Sequence, residues 1–89
     1  MSAQLEWSRP AKTGEHKTYR SKATLDGGAV IAVIRSGLGW RVVVHGWSID
    51  VHLPGADGAT SWPTARRHAL AEVAAILRMR LGAVKGAMP

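Results

Sequence analysis

The chain contains no cysteine, no phenylalanine and no asparagine, and only six of its 89 residues are acidic. Without cysteine there are no disulfide staples, thiolate zinc sites or cysteine nucleophiles. No apolar run approaches the roughly 20 residues that cross a bilayer, and no signal-peptide pattern opens the chain. A cytoplasmic protein without membrane contact is the expectation. So few acids leave general acid–base catalysis few players. No serine sits in a nucleophile elbow, no glycine loop carries the Lys-Ser/Thr of a phosphate loop, and no paired acids are evident. Neither an enzyme nor a cofactor is expected.

What remains is a globular composition, 46% hydrophobic and 20% charged, rather than a disordered one. A domain of this size buries about 60–65% of the surface its unfolded chain exposes, so its stability is modest. The net charge is +6 and uneven. Arg9, Lys12, Lys17, Arg20 and Lys22 oppose only Glu6 and Glu15 in the first 24 residues. From residue 63 onward, Arg66, Arg67, Arg78, Arg80 and Lys85 oppose only Glu72. The middle, with Arg35 and Arg41 against Asp26, Asp50 and Asp57, is slightly negative. Basic ends around a near-neutral middle favour an anionic partner, nucleic acid ahead of an acidic protein surface. Basic ends that serve only solubility are the alternative.

Residues 1–15 show no clear period and read as a flexible arm, with Trp7 either folded back or free as a hook. From His16 to Leu25, Tyr19, Ser21, Ala23 and Leu25 alternate with Thr18, Arg20, Lys22 and Thr24. This is the pattern of a half-buried edge strand with a basic outer face. Asp26-Gly27-Gly28 marks a tight turn. The β-branched run Val30–Ile34 predicts a central strand covered on both faces. Ser36 to Gly39 is a hairpin loop, and Trp40–His45 a third strand with Trp40, Val42 and Val44 on one face. Beyond a break at Gly46, Ile49, Val51 and Leu53 form a fourth strand or a bent continuation of the third. Residues 54–61 form a loop. A helix then starts at Thr64, or at Ser61 with Pro63 in its first turn, and stops at Gly82. Its apolar stripe is Ala65, Ala69, Leu70, Val73, Ile76, Leu77 and Leu81. The resulting fold is α+β, an antiparallel sheet of three or four strands with one long C-terminal helix packed on one face. Residues 16–82 form this single domain, and residues 83–89 a frayed tail. The core draws on Ile31, Val33, Trp40, Val42, Val44, Leu70, Val73, Ile76 and Leu77.

Four groups of side chains carry functional possibilities. Arg67 and Arg78 share a helix side with Ala71 and Ala74; they could follow a phosphate backbone, or the alanines could admit a partner helix. A plain solvated face is the alternative. Lys17, Arg20 and Lys22 make a basic strand face, but Tyr19, the one nearby ring, falls on the opposite, apolar face. That placement weakens a base-stacking mode and leaves backbone contact, or a charged edge that discourages aggregation. Trp47 and Trp62 flank an irregular segment and would serve a protein interface if exposed, or cap the open end of the core if not. His45, Asp50 and His52 could converge on a divalent ion, yet their spacing matches no strong metal signature, and no metal site is assigned.

Leu53-Pro54-Gly55, then Gly58 and a Thr-started, alanine-rich helix, resembles the N-terminal part of HicB-type antitoxins, over residues 17–80. More loosely, the β-β-β-α pattern resembles small accessory proteins of actinobacteria and their phages. The first resemblance implies a three-stranded sheet with a helix and a regulator that covers a small toxin of the ribonuclease type. Arg66 and Arg67 stand where that family has acids early in the helix, and no functional residue carries over. The leading expectation is a non-catalytic nucleic-acid-binding module that contacts phosphate through Lys17, Arg20, Lys22, Arg67 and Arg78. The competitor is a protein-binding regulator or inhibitor of a host or toxin protein, using Trp47, Trp62, Ala71 and Ala74. An edge strand or the alanine-lined helix side also offers a route to a homodimer.

Overall fold

Asp26-Gly27-Gly28 turns the chain as its glycines require. Gly27 and Gly28 both take φ near +90° (88° and 89°), a backbone region closed to residues with a Cβ. Leu25 and Ala29 close the turn through a 2.7 Å backbone hydrogen bond. The computed structural model describes residues 5–14, 17–37 and 39–88. The first four residues of the expected arm, Glu15, His16 at the expected strand start, Leu38 in the hairpin loop and Pro89 of the expected tail lie outside the described residues.

Five strands form one antiparallel meander: β1 (Ala11–Thr13), β2 (Thr18–Thr24), β3 (Val30–Ser36), β4 (Gly39–Val44) and β5 (Ile49–His52). The helix α1 (Trp62–Ala87) packs on β3 and β4. The fold is therefore α+β, with one strand more than the upper sequence-based expectation. The extra strand is β1. Its residues lie in the segment read as a flexible arm, but Ala11, Lys12 and Thr13 pair with Arg20, Tyr19 and Thr18. A three-residue strand directly after Pro10 shows too little periodicity to be recognised before its partner is in place. Beyond Pro10 the chain stays on β2: the Ser8 N–H donates to the Lys22 carbonyl at 2.7 Å, and the Ser8 hydroxyl accepts from the Lys22 N–H at 2.9 Å.

The sheet's inner face carries rows of cross-strand neighbours. Ala23, Ile31, Val44 and Ile49 form one, and Ser21, Val33, Val42 and Val51 the next. Most of these side chains are buried, together with Trp40 and Leu53. The helix supplies Ala65, Ala69 and Val73, and the two alanines have 0% exposure. Small side chains at this contact let the helix axis come close to the sheet. The outer face has no second layer among the described residues, which corrects the expectation that β3 is covered on both sides. Its apolar side chains are shaded instead by cross-strand neighbours: Ala32 stands between Lys22 and Val43, and Ile34 between Arg20 and Arg41.

The helix departs from expectation at its far end and in its contact line. Ser61, not Thr64, is the N-cap; its hydroxyl accepts from the Thr64 N–H, and Pro63 occupies the first turn. The helix does not stop at Gly82 but continues to Ala87, so most of the expected frayed tail is helical. A glycine stop requires the left-handed conformation, and Gly82 is not among the glycines with positive φ. Helix-favouring residues follow it. At 26 residues the helix is about 39 Å long, and its second half runs past the sheet. Leu70, Leu77 and Leu81, placed in the apolar stripe by spacing, are exposed, Leu70 and Leu77 because they lie beside the line of Ala65, Ala69 and Val73 that meets the sheet; Val73 is buried and Ile76 half-buried. No helix among the described residues is long and apolar enough to cross a membrane.

Candidate functional site

At the hairpin end of the inner face the apolar rows give way to a polar one. Lys12 pairs with Tyr19, Tyr19 with Arg35, and Arg35 with Trp40. This row lies where the sheet extends past the start of α1, so Tyr19 keeps 38% of its surface exposed although it is on the face the helix covers elsewhere. Trp62, the first residue of the helix, meets Trp40 edge to face, with ring centroids 4.7 Å apart. Arg35 lies over the Trp40 ring at 5.4 Å and donates to the Gly58 carbonyl at 3.0 Å. Trp40 Nε1 donates to the Asp57 carbonyl at 2.7 Å. These bonds tie the loop before the helix to the start of β4 and hold Trp62 over the row.

The space in front is an open cleft of about 700 Å³, lined by Arg9, Pro10, Lys17, Tyr19, Arg35, Ser36, Gly37 and Trp62. Of the described lining residues, three are cations and none is acidic. The N-terminal end of α1 borders it through Trp62, with no acid in the first helical turn, so the helix dipole adds to the positive field. Lys17 sits at φ 33°, in the left-handed region, at the turn entering β2. A non-glycine residue there costs of order 1 kcal/mol. Cations beside Tyr19 and Trp62, with no carboxylate among the described lining residues, suit a ligand that is both anionic and flat.

Beside the cleft, a second cluster fastens the N-terminal segment. Arg66 stands between two indoles, 5.6 Å from the Trp7 ring and 5.9 Å from the Trp62 ring. Its Nη2 donates to Ser21 Oγ at 2.9 Å and to the Ser8 carbonyl at 3.3 Å. Ser21 has 0% exposure and donates in turn to the Ser8 carbonyl at 2.7 Å. Trp7 is thus folded back onto the core rather than free.

The five cations expected to share one anionic partner fall on three surfaces. Lys17 lines the cleft. Arg20 and Lys22 stand on the outer face of the sheet, opposite to Ser21 and Ala23. Arg67 and Arg78 are exposed on the helix; Arg67 donates to Thr64 Oγ1 at 3.2 Å and borders a shallow depression with Pro54, His68, Ala71 and Glu72. Trp47 and Trp62 do not form one surface either. Trp62 adjoins the first residues of β4, whereas Trp47 follows its last, and both are half-buried against the core. Ala71 is exposed and Ala74 half-buried. Asp50 accepts from Arg41 at an exposed pair, and His45, in the turn just after β4, and His52, at the end of β5, are exposed.

Arg9, Arg35 and Tyr19 were not singled out together by sequence, although one signal was available. Counting outward from the Leu25–Ala29 closing pair sets Tyr19 opposite Arg35. The extent of the helix's cover, which leaves Tyr19 open, had no local signal. Comparison with protein-family models, with curated proteins and with solved structures finds no match for this chain.

Proposed function

We propose that this chain is a non-catalytic nucleic-acid-binding module whose cleft seats unstacked nucleotides. Lys17 and Arg9 contact phosphate there, and bases stack on the exposed Tyr19 ring and on the part of Trp62 that lines the cleft. The observation that carries this reading is the cleft itself, in which three cations and two aromatic rings meet with no acid among the described lining residues. A single strand fits better than a duplex, because only unpaired bases can turn a face to the rings. Arg20 and Lys22 on the outer face, and Arg67 and Arg78 on the helix, act as more distant sources of attraction that raise the association rate. They do not form part of the seat.

The test is a salt titration of binding to short single-stranded DNA and RNA, with duplexes of the same sequences, starting near 50 mM salt. Single strands should bind more tightly than duplexes, with an affinity that falls steeply as salt rises. Lys17→Gln and Arg9→Gln should each reduce the salt slope by about one. Tyr19→Ala should weaken single-strand binding by about tenfold, the order expected for one lost stacking contact. Failure to bind at low salt, or binding that ignores all three substitutions, would overturn the proposal.

A further inference from the structure

From Leu70 onward, α1 carries a second apolar line beside the one that faces the sheet. Leu70, Ala74, Leu77, Leu81 and Val84 follow one another in alternating steps of four and three residues, and Met88, the C-cap just past the helix, continues the spacing. These heptad steps let one helix pack its side chains between those of another. At about 100° per residue, this line is rotated by roughly 90° from Ala69, Val73 and Ile76, which meet the core. Its exposure grows along the helix, from 37% at Leu70 to 53% at Leu81, 59% at Val84 and 65% at Met88. Nothing among the described residues covers it. The helix is nonetheless held in place, because the Arg80 guanidinium donates to the carbonyls of Trp47 and Ser48 in the turn between β4 and β5.

Charge decides what this seam accepts. The same helical geometry places Arg67, Arg78 and Lys85 along its outer edge. Glu72, the one acid of the helix, stands on the far side with Met79. A second copy of the chain would bring its own row of cations and no acid to answer the first. A bilayer surface calls for a broad apolar face, whereas this seam is a narrow line with Arg78 on one side and Arg80 on the other. Heptad spacing and one-signed edges together fit a helical partner of opposite charge.

We propose that the outer side of α1 from Leu70 to Met88 docks an amphipathic helix of another protein, one whose apolar seam is edged with Asp or Glu. This surface is separate from the nucleotide cleft, and the two proposals fail independently.

The probe is a synthetic four-heptad peptide with Leu at both seam positions and Glu at the flanking positions, titrated calorimetrically into the intact protein. A second peptide with Lys at the flanks is the control. The Glu-edged peptide should bind saturably at one to one, more weakly as salt rises, and the Lys-edged peptide should not bind. Leu81→Asp, at an exposed position that leaves the melting temperature in place, should weaken binding at least about tenfold. Met79→Asp, on the far side, should leave it unchanged. Several results would overturn the proposal: no binding of the Glu-edged peptide, equal binding of both peptides, or indifference to Leu81→Asp. So would sedimentation of the protein alone as a dimer that Leu81→Asp dissociates, or uptake onto phosphatidylserine vesicles lost with the same substitution.

Discussion

Arg66→Ala tests whether the cluster of Trp7, Arg66 and Trp62 fastens the N-terminal segment. The substitution removes two cation–π contacts, at 5.6 and 5.9 Å, each worth about 0.5–1 kcal/mol at a half-buried site. It also removes the 2.9 Å bond to the buried Ser21 hydroxyl, about 1 kcal/mol. The 3.3 Å bond to the Ser8 carbonyl is long and adds little. Two effects act the other way. Arg66 Nε is buried without a partner, a burden that the substitution lifts, and alanine has slightly the better helix propensity. The balance is a loss of about 1–2 kcal/mol, which for a domain of this size lowers the melting temperature by about 5–15 °C. Urea unfolding followed by circular dichroism measures it. Because Ser8 and Trp7 lose their anchor, trypsin should also cut faster after Lys12 in β1, under conditions where the rest of the fold persists. Arg66→Lys keeps a charge near the rings but not the planar fork, and should fall between the two. Stability within 0.3 kcal/mol of the parent, with unchanged trypsin cleavage, would refute the argument and make Arg66 an ordinary surface residue.

Other substitutions probe the remaining features. Val33→Ala, at a side chain with 0% exposure, should cost about 2 kcal/mol in urea unfolding, whereas Leu81→Gln should change stability by under about 0.5 kcal/mol. Equal losses at the two positions would mean that the second half of the helix packs on the domain. Gly46→Ala should lose about 1 kcal/mol, because φ is 87° and no neighbour lies within 4 Å of an added Cβ. Backbone strain alone sets that loss, and Gly46→Asn should lose less in the same assay. Asp50→Asn breaks the pair with Arg41, whose side chains are 42% and 54% exposed, and thermal unfolding should move by no more than the equivalent of about 0.5 kcal/mol.

The strands and the helix could be read from the sequence because each rests on local signals. Alternation at Thr18–Thr24, two glycines at the first turn and β-branched residues through Val30–Ile34 each act within a few residues, and the α+β class follows from their order. The buried set of Ile31, Val33, Trp40, Val42 and Val44 was legible for the same reason. Periodicity states which side of an element is apolar but not where its cover ends. Leu70 and Leu77 share the helix's broad apolar side with Val73, yet only Val73 is buried, because the sheet covers the line of Ala65, Ala69 and Val73 and not the flank beside it. The same limit hid the candidate site. Alternation puts Tyr19 on the inner, apolar face and is silent on how far the helix covers that face.

Local chemistry in the sequence by itself thus determined the elements, their order and the polarity of their faces. Tertiary structure alone decided that Arg9, Lys17 and Arg35 meet Tyr19 and Trp62 in one cleft. It also decided that Arg20 and Arg67 stand on separate surfaces. These meetings depend on the register of three strands and on the point where the helix first touches the sheet. The turns fix the register, whereas the point where the helix lands is set by the packing of Ala65 and Ala69 and by the loop bonds of Trp40 and Arg35, contacts between residues far apart in the chain that no local pattern encodes.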